Sequence, residues 1–278
     1  MSWKRMLRST NSRVRLGVGL LLAALFCIQC APSDARHDAV AVGALSGAGA
    51  SGELERLAKT DHVALLKKAL AHYRDTVGDY RCKFSKQERI SGRLRPRQEM
   101  EIKFLEEPFS VAMRWVKNAP MGDRVLYVDG KHNGNMLVKP KGALIIFTGG
   151  KSVERNPESK DVMANTLRPV TMFGFRRSME SLLPVYELAH SRNECEISFL
   201  GYFNVGGRKA MKLQRVLPAR KDYPGKTTIW YLDVDDLILL GLESTDWDDR
   251  LACSYFYENV QLNVGLGEED FTPKANGM

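Results

Sequence analysis

The stretch that comes nearest to spelling phosphate chemistry is Gly149-Gly150-Lys151-Ser152. A phosphate-cradling loop of that kind needs a glycine five residues before its last one and a helix directly after it, so that successive backbone N–H groups wrap the anion. This chain has Ile145 at the first position and Asn156-Pro157 beyond the second, so the stretch reads as an ordinary turn. Metal chemistry is no better supplied. His37, His62, His72, His132 and His190 show no ligand spacing with one another or with a cysteine. Asp233, Asp235 and Asp236 run into Leu237 to Leu240, where a calcium loop needs its glycine and further oxygens, so a hairpin turn is expected there. No serine sits in a nucleophile elbow, and no carboxylate pair has flanks that would shift a pKa. Nucleophile, base and oxyanion donors do not occur together, so the expectation is a protein that binds rather than catalyses, without cofactor or metal.

One polar pair stands out. Lys86 and Glu88 share a strand face with Tyr80, Cys82 and Phe84, so two charges continue an apolar row. The plain account is that this end of the strand reaches solvent, because charged residues are rarely buried unpaired. The alternative is a polar gate at the mouth of the apolar face.

The elements that must position such a pair are strands. Met100, Ile102 and Phe104 alternate with charged residues, and Glu106-Glu107-Pro108 breaks the run. Phe109, Val111, Met113 and Trp115 resume it, and Val125 to Val128 makes a third run. Apolar residues at every second position, punctuated by proline and glycine, spell half-buried antiparallel strands with one broad apolar face. Earlier, Leu54 and Leu57, then Val63, Leu66, Leu70 and Tyr73, have helical spacing, with Thr60 or Asp61 as a cap between two pieces. Lys131 to Lys139 and Ala143 to Thr148 read as further strands, and Gly149 to Ser159 as turn. Helical spacing returns over residues 161–190, interrupted by Pro169 and Pro184. Five strands follow, over Cys195–Asn204, Arg208–Leu217, Lys226–Asp233, Leu237–Thr245 and Leu251–Asn263.

Composition bounds the partners. The formal charge is +8, but Lys4, Arg5, Arg8, Arg13 and Arg15 supply five of those charges, which leaves too little to argue for nucleic acid. Those cations precede an uncharged apolar run, Leu16 to Ile28, and then small and polar residues. This is the pattern of a secretory signal peptide over residues 1–35, with cleavage between 29 and 35. Cys30 is the candidate for lipidation, although Gln29 stands where a bacterial lipobox has a small residue. Residues 36–52 read as a flexible tether, 53–271 as the folded domain and 272–278 as a tail. Beyond the signal lie only Cys82, Cys195 and Cys253, an odd number, so at least one thiol stays unpaired.

Several of these segments, taken together, resemble the bacterial domain-of-unknown-function family 1571. They are Tyr80 to Phe84, Lys86 to Ile90 with Gly92 and Leu94, Pro108 to Val111 through Trp115, and Val125 to Gly130. Arg168-Pro169-Val170-Thr171 with Gly174 belongs to the set, as does the end, Tyr255-Phe256-Tyr257 with Asn263, Gly265, Leu266, Asp270 and Phe271. The resemblance spans residues 60 to 272 and implies no activity. More remotely, the order of elements is similar to that of the periplasmic lipoprotein carriers and outer-membrane lipoprotein receptors. That resemblance implies a helix leading into an open, curved sheet whose concave apolar face is lidded by helices inserted mid-chain. The carriers place an arginine before the strand-breaking proline to hold the lid closed, where this chain has Glu107 before Pro108.

The expected fold is therefore α+β, an open, strongly curved antiparallel half-barrel of about eleven strands with an N-terminal helix and a mid-chain helical lid. The expected cleft is lined by Ile102, Phe104, Phe109, Val111, Met113, Trp115, Tyr127, Met172 and Phe173, and holds an acyl chain, lipid or lipoprotein. Whether helices fill that face completely stays open at this point. A second reading is an envelope sensor that binds a protein partner through a strand edge or the lid. Either way the expected location is the periplasm, peripheral to a membrane or anchored there by lipid.

Overall fold

The computed structural model describes residues 50–120, 122–142 and 144–278. The signal peptide, its cleavage site, Cys30 and nearly all of the tether lie outside the described residues. Two helices open the described chain, α1 (Ala50–Thr60) and α2 (His62–Thr76). They part at Asp61, whose carboxylate accepts the Ala64 N–H at 2.9 Å and so satisfies one of the donors that a helix start leaves orphaned.

The chain then enters β1 (Asp79–Ile90), returns through the two-residue β2 (Arg93–Leu94), and meanders through β3 (Gln98–Leu105), β4 (Ser110–Lys117), β5 (Gly122–Val128) and β6 (Met136–Pro140). The insert comprises α3 (Leu144–Thr148), β7 (Val153–Arg155), α4 (Lys160–Met163), a 3-10 turn over Val170–Met172 and α5 (Phe175–Ser191). Five strands close the fold: β8 (Glu196–Val205), β9 (Arg208–Val216), β10 (Thr227–Asp233), β11 (Leu239–Thr245) and β12 (Leu251–Leu262).

Every pairing is antiparallel, in the order β7-β6-β5-β4-β3-β1-β12-β11-β10-β9-β8, with β2 on β1 alone. The two end strands, β7 and β8, do not pair with each other, so the sheet is an open half-barrel of eleven strands on one path. Three local expectations are corrected. Residues 144–148, expected within a strand, form the helix α3, and the polar segment after it contains β7. Pro184 lies inside α5 instead of interrupting it. It sits on the exposed side, where water can take the carbonyl that the missing N–H leaves free.

Register builds the inner face in rows. Tyr80, Phe104, Val111 and Tyr127 face one another across β1, β3, β4 and β5. One pleat further along, Cys82, Ile102, Met113, Val125, Val138 and Val153 run continuously from β1 to β7. The next row is Phe84, Met100 and Trp115, with Tyr257 beyond it on β12. Because alternate residues share a face, one slip in register would turn all of these toward water.

Helix α5 lies over the first row. Its buried stripe, Phe175, Met179, Leu182, Tyr186 and Ala189, has the i, i+4, i+7 spacing of a core-facing helix. Tyr80 stacks on Phe104 with ring centroids 4.5 Å apart and meets Phe175 at the same distance. Phe175 also packs on Tyr257 at 4.6 Å. Leu66, Leu70 and Tyr73 of α2 complete this filled end. On the convex face Leu105, Ala112, Leu126, Val128 and Leu137 are covered by Leu266 and Phe271 of the C-terminal segment.

Candidate functional site

Where α5 stops covering the sheet, a cavity of about 220 Å³ opens over the second and third rows. Its floor is Phe84, Met100, Met113, Trp115, Val125, Met136, Val138 and Val153, all carried by strands. Its roof is Val162, Pro169, Val170, Met172 and Phe173 from the insert, and Leu239 and Leu242 of β11 close one side. Trp115 is held in place by its indole N–H, which donates to Gln98 Oε1 at 2.8 Å. Three methionines on the floor, Met100, Met113 and Met136, give the surface a compliant lining, since an unbranched thioether adapts to irregular shapes.

A polar cluster forms the remaining wall, where Lys86, Glu88 and Tyr255 from β1 and β12 meet Thr166 and Arg168 from the insert. Glu88 is only 3 % exposed, so this end of β1 does not reach solvent as the plain account expected. The reason is that the carboxylate is fully partnered. It accepts from Lys86 Nζ at 3.1 Å and from the Tyr255 hydroxyl at 2.6 Å. Lys86 also donates to the Thr166 hydroxyl at 2.9 Å, and that hydroxyl donates to the Arg168 carbonyl at 3.0 Å. Burial, then the neighbouring Cys253 and Glu88, hold the Tyr255 hydroxyl far above its ordinary range, so it stays a donor. The Arg168 guanidinium donates to Ser181 Oγ of α5 at 2.9 Å, tying the cluster to the lid.

Of the residues expected in the cleft, Met113, Trp115, Met172 and Phe173 line the cavity, as do Lys86 and Glu88. Phe104, Phe109, Val111 and Tyr127 belong to the filled core near the start of α5, and Ile102 is buried between the two regions. In sequence the apolar face reads as one surface under a helical lid, with its filling left open; α5 fills one part of it and the cavity occupies the other. Thr166 and Tyr255 went unrecognised as partners of Glu88 because they lie 78 and 167 residues away in the chain.

The lid is latched by a carboxylate, but not by the one next to the proline. Glu106 forms an ion pair with Arg176 at 3.0 Å, lies 3.5 Å from Arg177 and accepts from the Tyr73 hydroxyl at 2.8 Å. The Arg177 guanidinium also sits 3.7 Å over the Phe109 ring. The other stretches weighed for chemistry are structural. Gly149-Gly150 follows a helix rather than preceding one. Asp233 is buried, pairs with Arg208 at 2.7 Å and accepts from the N–H groups of Asp235 and Asp236, as a hairpin turn requires. Among the described residues no group of His, Cys, Asp or Glu could hold a metal ion, and no helix is long and apolar enough to cross a membrane.

No curated protein matches the sequence. Solved structures with a similar chain course include the Pseudomonas aeruginosa MucA/MucB complex, at 14% identity and a TM-score of 0.44 over 77% of this chain and 62% of that one. The chain thus spans about three-fifths of that relative's length. The Mycobacterium tuberculosis lipoprotein LppX is similar at 11% identity and a TM-score of 0.41, over 74% of this chain and 96% of that one. A LolA superfamily protein from Nitrosomonas europaea is similar at 6% identity and a TM-score of 0.31, over 76% and 98%. In sequence, residues 77–277 match the family described as "Protein of unknown function (DUF1571)", and the chain belongs to that family.

Proposed function

We propose that this is an exported envelope protein that holds an acyl chain, from a lipid or a lipoprotein, in the cavity between sheet and lid. The observation that carries the reading is the apolar floor of Met100, Met113, Trp115, Val125 and Val138, which the lid roofs without filling. Each methylene moved from water onto such a lining contributes about 0.8 kcal/mol, so a chain is held without directional contacts. Volume sets a limit on cargo. At about 220 Å³ the cavity is smaller than the roughly 300–1,000 Å³ of a drug-sized ligand site, so it suits one chain with the lid closed. A multi-chain lipid or a lipoprotein anchor needs the lid to move. Export rests on the cationic residues before Leu16 to Ile28, and Cys30 is the candidate anchor.

The test is tryptophan emission. A long-chain fatty acid should shift it in the parent chain, and Trp115→Phe should remove most of the shift, since Trp230 is buried away from the cavity. Met113→Glu should abolish binding with the strand-rich fold intact, because an unpaired carboxylate on that floor costs several kcal/mol to desolvate. No shift in the parent chain, together with unfolding of Met113→Glu, would show the face to be ordinary core. A protein-binding reading is favoured by one further observation: the sheet ends on β8, a ten-residue edge strand onto which a partner strand can add.

A further inference from the structure

The cavity wall carries a charge imbalance. Among the described residues Lys86, Arg155 and Arg168 line it, against Glu88 as its one acid. Glu88 is already satisfied by Lys86 and Tyr255, and Arg155 lies 3.6 Å from Asp161. Arg168 makes no ion pair among the described residues; its guanidinium donates to the neutral Ser181 hydroxyl. A half-buried guanidinium beside apolar surface, lacking a counter-charge, is poised for an anion, and its planar fork matches a carboxylate or phosphate. Resting on the acyl-chain reading above, we propose that the bound chain ends in an anionic group seated on Arg168, with its tail running over Met100, Trp115 and Met113 toward β6. From β1 to β6 there are four strand spacings, about 19 Å of sheet for that tail.

Calorimetry at pH 8 with decanoate, decyl phosphate, decanol and decylamine tests this, and the first two arms separate a fatty acid from a phosphate-bearing lipid. One of the anions should bind at least tenfold more tightly than decanol, and decylamine should bind most weakly. Arg168→Gln should narrow the anion's advantage to less than threefold, and Arg168→Lys should keep part of it. Ser181→Ala, which removes only the hydroxyl that orients the guanidinium, should give an intermediate ratio. Equal binding of anion and alcohol, or an unchanged ratio in a folded Arg168→Gln, overturns the headgroup assignment and leaves chain binding standing. Absence of binding by all four overturns both.

A different observation concerns the turn out of β6. Ala143 to Phe147 is a run of apolar residues, and within it Ile146 is 82 % exposed and Ile145 is 45 % exposed. Lys139, Lys141 and Lys151 bracket the run, with no acidic residue between Gly130 and Val153 and no ion pair to any of the three among the described residues. Pro140, Thr148 and Val153 of the same turn line the cavity, so the tip stands at its rim. An apolar tip ringed by lysines has the chemistry of a segment that enters the headgroup region of an anionic bilayer. We infer that residues 139–151 dock on such a surface.

An Ile146→Trp chain, read as the difference from the parent, reports on the tip alone. Its added emission should shift to the blue with phosphatidylcholine vesicles containing phosphatidylglycerol and be quenched by brominated lipid. Both effects should weaken at least threefold in 0.5 M salt or when the three lysines are replaced by glutamine. Unchanged emission with anionic vesicles overturns the inference, as does an equal response to purely zwitterionic ones.

Discussion

Glu106, two residues before Pro108, pairs with Arg176 of the lid helix at 3.0 Å, and this contact fixes where the lid begins. Two arginines of α5 share the one carboxylate, which is largely buried. Removing its charge strands two cations beside apolar surface. Glu106→Gln should therefore cost about 1–2 kcal/mol, below the roughly 3–5 kcal/mol of a fully buried pair because Arg176 is about a third exposed. Amide hydrogen exchange should quicken over residues 170–191 before it does in β1 or β3. Uniform exchange across sheet and lid would contradict the latch.

His62 makes stability depend on pH. Its Nε2 lies 2.8 Å from the Ala58 carbonyl, which can only accept, so that nitrogen carries the proton. Nδ1 therefore accepts from the Tyr186 hydroxyl at 3.1 Å, and that oxygen accepts from the Trp230 indole at 2.8 Å. Burial first, then the Arg215 charge, lowers the imidazole to about 4 against the opposing pull of Ala58 and Asp61. The unfolded chain binds the proton at about 6.5, so the stabilisation is whole above that pH and is lost as pH falls toward 4. The loss should be on the order of 3 kcal/mol. Denaturation midpoints followed from pH 7 to 4 should fall more steeply for the parent chain than for His62→Gln. Parallel slopes would contradict the assignment.

Gly174 starts α5 at φ 114°, and a methyl group built there would meet the Phe104 ring at 2.9 Å. Both the left-handed backbone and the close ring require glycine. Gly174→Ala should lower stability by about 2 kcal/mol or more. A melting temperature within a degree of the parent would show that the helix start can shift at little cost.

All three described cysteines are free thiols. Burial pushes the Cys253 thiol up to about 11 and Cys82 higher still, so neither has appreciable thiolate at neutral pH. Peptide mapping after brief maleimide treatment of the native protein should find both unlabelled, with Cys195, whose thiol burial raises and the nearby Arg215 charge pulls back, reacting ahead of them. Prompt labelling of Cys82 would mean that β1 opens readily.

The strands were legible because each obeys a period of two with a turn at its end. The last five lie within two residues of their expected limits, since Gly206-Gly207 and the aspartate-rich turns mark them sharply. Residues 143–148 misled because a short apolar run fits strand and helix alike. At the site, Met113, Trp115, Lys86 and Glu88 were visible from the alternation of β1 and β4. The lid over them was also expected, but how far it fills the face was not legible. Periodicity says which residues share a face, but the division between filled core and cavity is set by where α5 lies, a contact made across more than seventy residues of chain.

Native mass spectrometry of the protein recovered from an envelope fraction tests the central claim most directly. The account predicts a complex heavier than the polypeptide by one single-chain amphiphile, displaced by excess fatty acid and lost in Met113→Glu. A bare polypeptide, under conditions in which a known fatty-acid carrier keeps its ligand, would contradict it.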